Sequence, residues 1–209
     1  MWIALATALV SFVLFATFSG WTARALGVRV GRVVLFAGPR VASFHALGLP
    51  FELRALPLAS HVIVATGEPT EPTNRRPDVE LDPPRLPWRV RVVWMLVPWA
   101  VLFAPTLAVL GTDAFVELLL GAIQFFAGLA FWSEGPAQAQ AVLALFASGA
   151  GLRIAALTVV KLTSLNLLVM PILTGGLLWP RPPPWWSLVV TWVVLATFVG
   201  WVVSFVTAM

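Results

Sequence analysis

The residues able to do chemistry in this 209-residue chain are few. There are two histidines, nine acids and no cysteine. His45 and His61 have no glutamate paired nearby, and they read as surface or sheet-edge residues. Nowhere is there a His-Glu-x-x-His, the helical spacing that puts two imidazoles on one face to hold zinc beside a glutamate base. The lack of cysteine removes disulfides and thiolate ligands. No Gly-x-Ser-x-Gly, Walker or dinucleotide glycine pattern occurs. No metal and no cofactor is therefore expected. What remains is a handful of polar residues set in apolar sequence. Glu117 and Gln124 are spaced to share a helical face. Arg153, Lys161 and Asn166 interrupt the next apolar stretch. An ionised group at membrane depth is expensive, so it pairs, faces water or snorkels. Lys161 is a candidate for contact with a partner helix or an internal acid, with snorkelling or an internal backbone contact as the alternative. Arg153 reads as an interfacial residue.

The elements that must position these residues follow from composition. The chain is 60% hydrophobic and 11% charged, against about 25% charged in a soluble domain. A bilayer span needs about 20 mostly apolar residues. Met1–Ala23 and Val92–Thr112 carry no charge, and neither does Trp185–Met209 apart from the chain end. Between Gly135 and Trp179 only Arg153 and Lys161 are charged. Ala114–Trp132 is a fifth candidate span, weakened by Glu117 and Gln124, and it reads better as an interfacial helix with a polar edge. The expected fold is an all-α integral membrane bundle of about four transmembrane helices, five being possible, with a small cytoplasmic membrane-associated β element.

The segments expected are a first transmembrane span over 1–23, then a cytoplasmic β element and Pro-rich linker over 24–87. A second span follows over 88–113 and an interfacial helix and turn over 114–137. A third span, 138–180, contains a broken Asn-Pro-Gly-Gly segment, and a fourth covers 181–209. Within the second segment, Val28–Phe36 is rich in β-branched residues and reads as a strand. Gly38–Arg40 reads as a turn, and Phe51–Val64 as one or two further strands. Ten of the thirteen basic residues lie between Arg24 and Arg91. By the positive-inside rule that loop is cytoplasmic and the N-terminus outside. No basic residue precedes the first apolar run, so that run reads as an uncleaved span in a bacterial-type inner or cytoplasmic membrane. The basic charge reports orientation, so no nucleic-acid partner is expected. The expected partners are membrane lipid and an integral membrane protein.

The stretch "NLLVMPILTGG" (Asn166–Gly176) breaks its span with a proline and a glycine pair. Broken helices survive in membranes only where protein or a cavity covers the freed backbone, so this stretch should face a bundle interior. It resembles the late-span motif Asn-x-x-Pro-x-Pro-x-Leu-Asp-Gly-Gly of the site-2 proteases, which are intramembrane zinc metallopeptidases. Asn166, Pro171, Leu173, Gly175 and Gly176 stand in register with it, while Val169 replaces the first proline and Thr174 the aspartate. "ARALGVRVGRVVLFAGPR" is similar to the segment after that family's first catalytic span. "FELRALPLASHVIV" is similar to its next strand, and "WRVRVVWMLVPWAVLFA" to its second core span. "SEGPAQAQ" (Ser133–Gln140) is similar to the element before the late span. No room exists for the family's usual PDZ insertion.

The resemblance also puts Phe15 and Ser19 where the family has its zinc-binding histidines, Ala16 where it has its glutamate, and Thr174 where it has its aspartate ligand. Catalytic zinc takes three protein ligands and an open position, and these four residues cannot supply them. The implied protein is a pseudoprotease with no catalytic residues and no metal, which binds or scaffolds a membrane partner. Lys161, Asn166, Pro171, Gly175 and Gly176 are the candidate groove or partner-binding residues. The alternatives are a structural subunit of a larger membrane complex and an active intramembrane metallopeptidase with displaced ligands.

Overall fold

The structure is a computed structural model that describes residues 2–64, 86–126, 129, 134–167 and 184–208. Seven helices and two long strands are assigned there: α1 (Trp2–Ala25), β1 (Val30–Ala46), β2 (Leu49–Val64), α2 (Trp88–Phe103), α3 (Thr106–Leu110), α4 (Asp113–Phe126), α5 (Glu134–Ala147), α6 (Gly151–Leu167) and α7 (Pro184–Ala208). They form two compact units, one of residues 9–100 and one of residues 1–8 with 101–209.

The expectation of an all-α bundle of about four transmembrane helices is overturned. Among the described residues only α1 is long and apolar enough to cross a membrane. The second expected span breaks up. Its helix α2 ends at Phe103, and Pro105 stands ahead of the five-residue α3. Proline lacks the N–H that would continue the ladder and clashes with the preceding turn. The 16 residues of α2 rise about 24 Å at 1.5 Å each, short of a hydrocarbon core of about 30 Å. Within α7 the apolar run Trp192–Ala208 is shorter than the 24 residues of α1. The β element is also larger than expected, with strands of 17 and 16 residues.

In the first unit, β1 and β2 form an antiparallel hairpin closed by Leu47 and Gly48. Both turn residues have positive φ, 52° and 75°. That is the requirement of a two-residue type I′ turn, whose twist matches the strands. The expected turn at Gly38–Arg40 is instead a bend within β1. Gly38 sits at φ 86° and the register shifts between Ala37 and Arg40. The bend lets the start of β1 take partners on both edges. Val33, Val34 and Leu35 pair with Val62, His61 and Ser60, and also with Phe51, Glu52 and Leu53. Val33, Val34 and Leu35 are all buried, and Val33 and Leu35 belong to the core against α1.

One face of this sheet packs on α1. Ala16, Val33, Leu35, Leu49 and Phe51 form its core. Gly20 allows the approach: a Cβ there would stand 2.9 Å from Leu49 Cδ1 and 3.0 Å from Val33 Cγ2. Glu52, also buried, is held by Arg32 at 2.9 Å and Arg54 at 2.8 Å, which satisfies a carboxylate that burial would otherwise penalise.

In the second unit α4 packs on α6, α5 on α7, and α3 on both α4 and α6. Phe103, Ala114 and Val160 form a core with Leu107, Leu110 and Leu118 around them. Trp201 ties α7 to the end of α4 through its indole N–H, which donates to the Phe125 carbonyl at 2.8 Å.

Candidate functional site

The three positions that the resemblance matched to catalytic residues on the first span lie together on the buried side of α1. Phe15 is 7% exposed, Ala16 0% and Ser19 6%. The spacing i, i+1, i+4 sets Phe15 and Ser19 one above the other on a helix face. Opposite them stands α2, whose Trp94, Met95, Pro98 and Trp99 are buried. Trp99 stacks on Phe15, with ring centroids 4.5 Å apart and planes 23° from parallel. Trp94 Nε1 donates to the Ser19 hydroxyl at 2.8 Å and to the Ser19 carbonyl at 3.0 Å. Residue numbers therefore run in opposite senses along the contact, and the two helices are antiparallel there.

Chemically this joint is a plug. Phe15 and Ala16 present no ligand atom, and the Ser19 oxygen is already engaged by an indole. Ala16 lies in the sheet core beside Val33 and Leu49. Two tryptophans, Trp94 and Trp99, fill the space beside Phe15 and Ser19. Trp99 Nε1 is buried with no hydrogen-bond partner among the described residues, a cost of about 1–3 kcal/mol that the stacked aromatic surface offsets. Thr174 lies outside the described residues.

A second polar cluster lies in the other unit, on the α4–α6 contact. Lys161 Nζ is paired with the Glu117 carboxylate and the Gln124 side-chain oxygen, and it also donates to the Glu117 carbonyl at 3.3 Å. The internal acid expected as one reading of Lys161 is thus Glu117. Between the two polar residues on α4 stands Gly121. A Cβ on it would be 2.7 Å from Ser164 and 3.2 Å from Lys161 Cδ. Sequence reading passed over Gly121, although Glu117, Gly121 and Gln124, spaced by four and three, mark one helix face.

No family model, curated protein or solved structure matches the chain. Asn166 Nδ2 donates to the Leu162 carbonyl one turn back at 2.9 Å. Pro171, Gly175 and Gly176 lie outside the described residues. Arg153 is exposed on α6. His45 and His61 are both exposed and sit in the sheet, opposite Pro50 and Val34. Among the described residues no three histidines or acids converge as a metal site would require.

Proposed function

We propose that this chain is a site-2-protease-like pseudoprotease: an integral membrane protein anchored through α1 that binds or scaffolds a membrane partner without catalysis. One observation carries the reading. The positions matched to zinc ligands and base on the first span are packed shut by Trp94 and Trp99. A lapsed active site has no selection to stay hollow, and close packing in its place stabilises the fold.

The membrane location is supported by large apolar side chains left exposed while several hydroxyl residues are buried. Trp2, Leu119 and Leu152 are 74%, 75% and 73% exposed. Buried instead are Ser11, Thr17, Ser19, Thr163, Ser164, Thr197 and Ser204. Hydroxyls of Thr17, Thr163, Thr197 and Ser204 bond carbonyls one turn back in their own helices, so their burial leaves no unpaired group. In water the exposed apolar surface would be strongly unfavourable; in lipid it is the ordinary outer face.

The partner-binding element in this reading is the outer edge of β1. Residues 40–46 pair with β2 on one side, and Val41, Ala42, Ser43, Phe44 and His45 are exposed. An open edge carries unpaired N–H and C=O groups that an extended segment satisfies by strand addition. A photo-crosslinking residue at Val41 should capture an integral membrane protein. Of two neighbouring residues one turns its N–H outward, so either Ala42→Pro or Ser43→Pro should abolish capture. Capture unaffected by both prolines would remove the edge from the reading.

A structural subunit of a larger complex is the second reading. It is favoured by the apolar outer stripe of α4, where Phe115, Val116, Leu119 and Ile123 are exposed. Stoichiometric co-purification in mild detergent that survives both prolines would select it.

A further inference from the structure

We infer that the arginine-rich end of the α1–α2 pair is a docking site for the phosphates of an anionic phospholipid leaflet. Because Ser19 meets Trp94 and Phe15 meets Trp99, the last turn of α1 and the first turn of α2 lie at the same end of the pair. Arg24 stands in that last turn, Arg89 in that first turn, and Arg29 follows α1; all three are exposed. The hairpin turn is fastened at this level. Trp21 Nε1 donates to the Leu47 carbonyl at 3.1 Å, and Arg24 Nη1 to the Gly48 carbonyl at 2.8 Å.

Among the described residues the charge there is uncompensated. The described residues of this unit hold seven arginines and one acid. That acid, Glu52, is buried and already shared by Arg32 and Arg54. Arg24, Arg29 and Arg89 therefore have no carboxylate among the described residues. Guanidinium groups match phosphate oxygens in a planar, two-point fashion. The apolar surface among them decides between a leaflet and a free phosphate. Trp21, Leu47 and Trp88 are 39%, 67% and 64% exposed. Indoles beside arginines at the end of an apolar helix suit the headgroup level, where ring and charge are both accommodated. A dissolved phosphate would leave that surface in water.

The inference rests on the membrane location proposed above and is independent of the lapsed protease site. The full chain in neutral detergent is offered equal amounts of phosphatidylglycerol and phosphatidylcholine with identical acyl chains, and native mass spectrometry reads which stays bound. Phosphatidylglycerol should be retained preferentially. Each arginine contributes about fivefold near an anionic surface, so Arg24→Gln/Arg29→Gln/Arg89→Gln should bring the two lipids close to parity. Arg153→Gln should leave the preference intact. In the unmodified chain the preference should also shrink between 0.05 and 0.5 M salt by screening, a readout that does not depend on a variant folding. Equal retention of both lipids, or a preference that survives the triple variant and the salt, would overturn the site alone. Displacement by free glycerol phosphate at concentrations equal to the lipid would overturn the leaflet in favour of a soluble phosphate. Retention of neither lipid would overturn the membrane location and this site with it.

Discussion

Trp99 lies flat on Phe15, its ring centroid 4.5 Å away, and five residues earlier on the same helix Trp94 closes over Ser19 through its indole N–H. The two positions that the proposed resemblance matches to histidines are thus held by a stacking partner and a hydrogen-bond acceptor. The consequences are energetic before they are functional.

Trp99 is 1% exposed, so its truncation leaves a cavity the size of an indole. Trp99→Ala should cost about 3–5 kcal/mol. Trp94→Phe keeps the volume better and removes the indole N–H that the Ser19 hydroxyl and carbonyl share, for about 1–2 kcal/mol. Thermal unfolding of the purified chain, followed by tryptophan fluorescence, should rank the two in that order.

Installing a His-Glu-x-x-His zinc motif at these positions should fail for the same reason. Ala16 is packed in the core with Val33, Leu35 and Leu49, and a glutamate there would carry an unpaired charge into a closed space at a cost of several kcal/mol. Phe15→His/Ala16→Glu/Ser19→His should express poorly and show no chelator-sensitive cleavage of a helical membrane substrate. Adding Thr174→Asp with zinc should recover some expression. Robust cleavage by the triple variant would mean that the joint opens far more readily than its packing indicates.

The α4–α6 contact should be sensitive at Gly121. Gly121→Ala puts a methyl group 2.7 Å from Ser164, an overpacking worth about 1–3 kcal/mol. Ser164→Gly should be mildly destabilising alone and should restore most of the loss in combination. Glu117→Gln and Lys161→Met should couple by about 0.5–1 kcal/mol in a double-mutant cycle, the modest value expected of a half-exposed pair.

Leu47 holds a positive φ of 52°, which a leucine side chain adopts at a cost and asparagine tolerates. Leu47→Asn should stabilise the hairpin by about 0.5–1 kcal/mol. The backbone carbonyl that Trp21 uses is unchanged by this substitution. A lowered thermal midpoint would show that the Leu47 side chain contributes packing that outweighs the strain.

These cases also show where the sequence was readable. The apolar run of α1 and the β-branched strands of the hairpin are local signals; α1 and β2 lie within a few residues of expectation, whereas β1 runs ten residues past Phe36. The turn was misplaced because Gly38 advertises a turn and serves as a bend, while Leu47 gives no turn signal. The second span was expected to continue through its two prolines; Pro98 is accommodated inside α2, whereas the helix stops before Pro105, a difference that hydropathy does not register. Phe15, Ala16 and Ser19 were singled out by resemblance alone. Their partners Trp94 and Trp99 were not, since no periodicity links residues 75 or 84 positions apart; tryptophan was read only as an interfacial residue. Lys161 and Glu117 were each singled out, and their pairing needed the close approach that Gly121 allows.

Metal content tests the lapsed-site reading most directly. The full chain, purified without chelator from zinc-supplemented cells, should carry far less than one zinc per molecule by elemental analysis. Adding zinc should leave its thermal midpoint unmoved, since a ligand that does not bind the native state cannot stabilise it. One zinc per chain, removed by chelator and restoring cleavage of a membrane substrate when returned, would contradict the account.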